Sequence, residues 1–234
     1  MMRFFRFMAV VSYRMCFVVA MLVVQVANAQ SGGDRPRLVV GIMVDGLQHT
    51  HLQQLWTRFN ANGFRRLVSA GVSFSDMTSN TASYGNAADL ATFFSGTVPY
   101  YHGITGDRVW HPSTNEVSSV FQDKTQTGIQ SHLQLSARAL EASTWVDELM
   151  MAGRTRSKSF VVAINAEDAI AMGGHAATGA VWLDEVHLRW GSTDYYSGGM
   201  PWQAAQMNSA NEVKETADRN WQALFFPRTY LAAL

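Results

Sequence analysis

Cysteine is nearly absent. The 234 residues hold one, Cys16, so no disulfide and no cysteine-built metal site can form within the chain. Excess charge of either sign is also lacking. Eighteen Lys and Arg balance eighteen Asp and Glu, and no basic run breaks the pattern. There is therefore no electrostatic reason to expect a nucleic-acid partner. HExxH, CxxC, GxSxG and the P-loop are all missing, so the chemistries those motifs carry have no local signature here. Internal repeats and low-complexity stretches are missing too. The longest apolar run near the start, Cys16 to Val26 (CFVVAMLVVQV), is well short of the roughly 20 residues that span a bilayer.

That run has a specific setting. Arg3, Arg6 and Arg14 precede it with no acid among them, and Ala27-Asn28-Ala29 follows it. A basic start, a short apolar middle and an A-x-A exit describe a secretory signal peptide over 1–29, cleaved before Gln30. Cleavage removes three arginines and no acid, so net charge falls from 0 to −3, and Cys16 leaves as well. The mature protein is expected to be cysteine-free and secreted or periplasmic, with no membrane attachment after cleavage.

A polar linker, 30–37, leads into a domain over 38–234. Leu38 to Val44 (LVVGIMV) is continuously apolar between Arg37 and Asp45 and is predicted to be a strand buried on both faces, as in a parallel sheet. Apolar spacing predicts helices over Thr50 to Asn60 and Phe64 to Ala70, with Gly71 closing the second. A short strand is expected at Val72 to Ser75, and a helix at Asn86 to Phe94. Val109 to Gln134 is polar and weakly patterned, and reads as a long loop. Ser143 or Thr144 caps a helix to about Ala152, before Gly153. Ser159 to Ile164 reads as a second buried strand. Gly179 to Leu183 and Val186 to Trp190 read as a hairpin. Pro201 to Ser209 has Pro in its first turn and reads as a helix, with another over Asn211 to Leu224. The alternation predicts an α/β fold, a mostly parallel sheet flanked by helices. Ligands of such sheets bind beyond the strand C-termini, which singles out Asp45.

Several segments together resemble a known family. Leu38 to Gly46 (LVVGIMVDG) is similar to the first strand and metal-binding aspartate of the type I phosphodiesterase/nucleotide pyrophosphatase group of the alkaline phosphatase superfamily. Gly63 to Phe74 (GFRRLVSAGVSF) is similar to the helix and strand that follow, and Ser95 to Gly103 (SGTVPYYHG) to the "TGxxPxxHG" stretch. Gly173-Gly174-His175 with Val181 to Asp184 (VWLD) resembles the "AGHxADAAYWFD" stretch of the exported phosphomonoesterase branch. The match runs from about Arg37 to Pro227. It implies an alkaline-phosphatase-like fold and hydrolysis of a phosphate ester ligand. It also implies two zinc ions, which activate a Thr or Ser nucleophile and clamp the transferring oxygens. Asp45 takes the early metal position. The family's later Asp and His ligands normally lie beyond the point equivalent to Leu234, so the sequence reads as the N-terminal portion of an incomplete domain.

Other matched positions depart from the family. An ungapped match puts Asn86 at the nucleophile position, where an amide cannot serve as an alkoxide. A match with one extra helical turn puts Ser83 there instead, with Thr81 a further alternative. The family's phosphate-contacting Asn and Lys-x-Arg pair become Asp107, Asn165 and Glu167. These changes remove two cations and add anions near a dianion, each costing on the order of a few kcal/mol at an effective dielectric near 20. His49 and His51 read as helix-start histidines, His102 as a structural hydrogen-bonder, and His175 and Asp184 as structural positions. Trp145, Trp182, Trp190, Trp202 and Trp221, with Tyr195 and Tyr196, read as core and edge packing. The expected reaction is therefore impaired. A non-catalytic binding or assembly module on the same fold, or a fragment of a full-length hydrolase, is the alternative. A sheet lacking strands on one side would leave an edge for a protein partner to cover.

Overall fold

The computed structural model describes residues 37–74, 77, 86–153 and 157–219. The signal segment, most of the linker, Thr81, Ser83 and Trp221 lie outside them. The chain divides into two compact units, Met1–Arg65 and Arg66–Ala232.

In the first unit, Leu38 to Val44 is not a paired strand. It belongs to no β-ladder among the described residues, and Leu38 and Ile42 are 78% and 72% exposed. An apolar run reports that a segment can be buried, and burial needs a partner strand. At its end Asp45 is exposed and Gly46 turns with φ +70°, a conformation open to glycine. The predicted helix over Thr50 to Asn60 is shorter and in two pieces: α1 (His49–Gln54) and a 3-10 turn, Trp56–Arg58. Phe59 and Phe64 meet with ring centroids 5.0 Å apart, and the Arg65 guanidinium donates to the Trp56 carbonyl at 2.9 Å.

Helix α2 (Phe64–Ala70) has the predicted bounds. Val72 to Phe74 forms no strand, and Phe74 is exposed.

The second unit is built on a mixed sheet. Its strands are β3 (Gly128–Ile129), β4 (Phe160–Val162), β5 (Gly179–Asp184) and β6 (Arg189–Thr193), in the order β3-β6-β5-β4. Only β4 and β5 run parallel, and the other two pairings are antiparallel. The stretch predicted as a loop contains β3 and a separate hairpin, β1 (Arg108–His111) with β2 (Glu116–Ser119). Its side chains are mostly exposed, so no apolar alternation announced it.

Helix α3 (Asn86–Ser95) buries Ala87, Ala88, Ala91 and Phe94. It packs on α6 (Ala166–Gly173), which buries Ala166, Ala169, Ile170 and Ala171 and lies in turn on β4 and β5. Small residues on both helices let the backbones approach closely. Between α3 and α6 in sequence lie a short turn of helix, α4 (Pro99–His102), and α5 (Trp145–Gly153). Trp145 stacks on Phe94 at 5.3 Å, while Phe121, Leu135, Trp182 and Tyr196 complete the core. Two C-terminal helices, α7 (Trp202–Ser209) and α8 (Glu212–Ala217), lie against β6.

Asn208 of α7 has a particular task. Its side-chain oxygen accepts from the Trp190 N–H at 2.7 Å, and its Nδ2 donates to the Trp190 carbonyl at 2.8 Å and to Gln130 Oε1 at 2.7 Å. One amide group thus stands in for a strand residue where β3 ends. The opposite edge is open: β4 pairs only with β5 among the described residues, and Phe160, Val162 and Ile164 are exposed along it.

Candidate functional site

The matched positions fall on two helix starts. Asn86 is the first residue of α3 and is exposed. The next residue, Ala87, donates its N–H to Asp107 Oδ1 at 2.8 Å. A carboxylate is favoured there because the first N–H groups of a helix lack internal partners and carry partial positive charge. Asn165 stands at the N-cap position of α6 without a side-chain cap hydrogen bond, and its amide donates to Asp168 at 3.2 Å. Glu167 is half-buried in the first turn of α6. Asp45 belongs to no group of three or more His, Cys, Asp or Glu donors among the described residues. A two-zinc centre needs several such ligands, so the donor set at Asp45 does not fit one.

The histidines sort by their partners. His49 meets the Gln53 amide at 2.9 Å, and His51 Nδ1 accepts from the Gln48 N–H at 3.3 Å. Both serve their own helix. His102 is fully buried. Its Nδ1 accepts from the Ile104 N–H at 3.1 Å, leaving Nε2–H to donate to Thr92 Oγ1 at 3.0 Å. Burial pushes its pKa down, in keeping with a neutral ring.

His175 is the opposite case. Nδ1 faces Asp147 Oδ2 at 3.4 Å and Nε2 faces the Leu140 carbonyl at 2.9 Å. Both partners are acceptors, so these surroundings favour the doubly protonated ring. The Asp147 hydrogen bond raises its pKa above the ordinary 6.5, against desolvation. Burial pushes the Asp147 carboxyl up, but donors from His175, Thr144 and Ala176 outweigh it and hold it below 3.8. Gly174 is required beside this pair. Its φ is +61°, and a Cβ there would collide with the side chains of Asp147 and Thr144.

The pair makes stability pH-dependent. His175 contributes fully below its unfolded value near 6.5, and the contribution disappears as pH rises through its raised folded value. Asp147 contributes fully above its unfolded value, and the contribution is lost as pH falls through its depressed one. Thermal melts of the parent and His175→Gln should therefore differ most between about pH 4 and 6.5 and converge on the alkaline side. A difference unchanged up to pH 9 would contradict an imidazolium.

A third group brings together residues far apart in sequence. His132, Asp184 and His187 each offer one ligand atom, all within 4.8 Å of one another. Asp184 Oδ2 lies 3.0 Å from His187 Nδ1 and 3.5 Å from His132 Nδ1. Asp184 Oδ1 accepts the N–H groups of Val186 and His187, both at 3.1 Å. Burial raises the Asp184 pKa, and the His187 and His132 contacts bring it below its ordinary value. Sequence reading placed Asp184 as structural and passed over both histidines. The available signal was Asp-x-x-His in the β5–β6 turn.

Comparison with known proteins agrees with this fold. Residues 39–231 match the model of the type I phosphodiesterase / nucleotide pyrophosphatase family. Alkaline phosphatase PhoV of Synechococcus elongatus is 29% identical over 199 residues, covering 84% of this chain and 36% of PhoV. Alkaline phosphatase PafA of Elizabethkingia meningoseptica is 28% identical over 194 residues, covering 81% and 36%. The crystal structure of wild-type PafA superposes with a TM-score of 0.78 at 25% identity, over 86% of this chain and 39% of PafA. The chain thus spans little more than a third of the length of these relatives. The fold is the alkaline-phosphatase-like α/β fold, and the chain belongs to the type I phosphodiesterase / nucleotide pyrophosphatase family.

Proposed function

We propose that this chain is an exported member of a zinc-dependent phosphate ester hydrolase family in which the hydrolysis is impaired. The observation that carries the reading is the contact between Asp107 and Ala87. Its carboxylate takes a first-turn N–H of α3 at 2.8 Å, beside the position matched to the nucleophile and at the position matched to a phosphate-contacting amide. An anion bound at a helix N-terminus excludes another. A like charge about 4 Å from a phosphate oxygen costs ~4 kcal/mol at an effective dielectric near 20. Asn86 adds no nucleophile, and Asn165 and Glu167 add no cation. Export rests on the pattern of Met1 to Ala29, and the substrate class on the alkaline phosphatase relatives.

Hydrolysis of p-nitrophenyl phosphate and bis-p-nitrophenyl phosphate in added zinc tests the reading. Turnover by the parent should not exceed that of Asp45→Ala. Asp107→Asn keeps the helix cap and removes the charge, and should tighten phosphate binding about tenfold or more. Parent turnover that Asp45→Ala or Ser83→Ala abolishes would overturn the impairment.

The second reading, a non-catalytic assembly module or one portion of a longer hydrolase, is favoured by the open β4 edge. The side of β4 that has no strand partner among the described residues, with Phe160 and Val162 exposed along it, is a surface for an added strand.

A further inference from the structure

We infer that His132, Asp184 and His187 form a binding site for a divalent cation of the zinc class, using none of the residues that the family resemblance assigns to metal. The donor set is two imidazole nitrogens and one carboxylate oxygen, which suits zinc and its transition-metal neighbours rather than calcium or magnesium. Three protein ligands leave a fourth position for water.

The spacing fits. Tetrahedral ligands about 2.0–2.1 Å from a zinc ion stand roughly 3.3–3.4 Å from one another. The Asp184 oxygen stands 3.0 and 3.5 Å from the two nitrogens. Those two edges need a few tenths of an ångström of adjustment, and the third, between the imidazoles, lies within 4.8 Å and closes by rotation of the half-exposed histidine side chains. The two imidazoles converge on one carboxylate with ring centroids 6.3 Å apart. Arg189, opposite Asp184 in the ladder, makes no ion pair with it among the described residues.

The cluster is held in place from behind. Asp184 has no exposed side-chain surface, whereas His132 and His187 are about half exposed. An ion can therefore reach the site from solvent while the carboxylate stays fixed. Oδ1 is committed to two backbone donors of the turn, and Oδ2 is left for the histidines. The His132 segment is pinned through Ser131, whose Oγ accepts from Trp182 Nε1 at 3.2 Å. Ser131 also lies so close to Gly191 that a Cβ there would stand 2.7 Å from its own Cβ. The backbone is forced as well. Gln130 and Leu188, which flank the two histidines, adopt φ of +52° and +49°. Such φ values are uncommon outside glycine and unfavourable for a leucine, and persist only where surroundings impose them.

Metal binding requires the Nδ1 lone pair on both rings. A proton on Nδ1 must move to Nε2 or leave before that nitrogen can bind an ion.

The test is zinc binding by the purified chain, stripped of metal and titrated in competition with a chromophoric chelator. Asp45→Ala serves as the background. It should still bind one equivalent of zinc. Adding His132→Ala or His187→Ala should weaken binding by more than the ten- to hundredfold that losing an outer partner costs. Both side chains are half exposed, so the fold should survive, which far-UV circular dichroism checks. Cobalt should give the intense visible absorption of a tetrahedral site in the background protein, lost in the His187→Ala variant. Equal zinc affinity and stoichiometry after both histidines are replaced would overturn the inference. So would the absence of zinc binding once Asp45 is gone. No ester turnover is read, so failure here is separable from failure of the functional reading.

Discussion

Replacing Asp147 by Ala is expected to lower the unfolding free energy by about 2–4 kcal/mol, chiefly by stranding the donors it serves, because solvent screens the charge of its partner His175, 39% exposed. The side chain is 5% exposed and serves several donors. Oδ2 takes the Thr144 N–H at 2.8 Å, the Thr144 hydroxyl at 3.0 Å and His175, while Oδ1 takes the Ala176 N–H at 2.6 Å. Truncation strands two backbone donors, each worth about 1–3 kcal/mol when buried and unpaired, and leaves an imidazolium without its counter-charge. Urea unfolding measures the loss. Asp147→Asn separates the contributions, because it keeps acceptor geometry on one side and removes only the charge. Its stability should no longer decline as pH rises through the His175 titration. A loss below about 1 kcal/mol for Asp147→Ala would mean that water replaces the carboxylate, and the pair would not be a structural keystone.

Trp182→Ala is expected to destabilise by about 3–5 kcal/mol, for a different reason. Trp182 is fully buried on β5 in the middle of the core, and its removal leaves a cavity that neighbouring strands cannot collapse into. Its indole N–H also holds Ser131. Trp182→Phe restores most of the volume without the hydrogen bond, and should recover all but about 1–2 kcal/mol. If Trp182→Phe were as damaging as Trp182→Ala, the hydrogen bond rather than the packing would govern this position.

Elements whose boundaries carry local chemistry were legible in the sequence. Phe64–Ala70 ends at a glycine and stands where it was expected, and Trp202–Ser209 starts one residue after its expected start at Pro201, which takes the N-cap position. Asn86–Ser95 extends one residue past its predicted end. Elements whose character depends on distant partners were not. Leu38 to Val44 reads as a buried strand, but apolarity specifies no neighbour. The hairpin at Arg108–His111 and Glu116–Ser119 has little to bury, so alternation is weak. Helix Ala166–Gly173 begins at residues that family likeness presented as phosphate contacts, which obscured its small-residue face.

The same division runs through the site residues. Gly174 and His175 were recognisable because the motif that holds them is contiguous. His132 reaches Asp184 across 52 positions, and no spacing rule connects them until β3, β5 and β6 are laid side by side. His102 came through as a structural histidine because its turn is local.

The asparagine that closes β6 decides how copies of this sheet can meet. β3 is two residues long, and Asn208 occupies the ladder beyond it, so among the described residues the longer edge left for an added strand is β4. Two copies joined edge to edge there, antiparallel about a two-fold axis, would each cover the other's β4. Association through that edge would close on a pair.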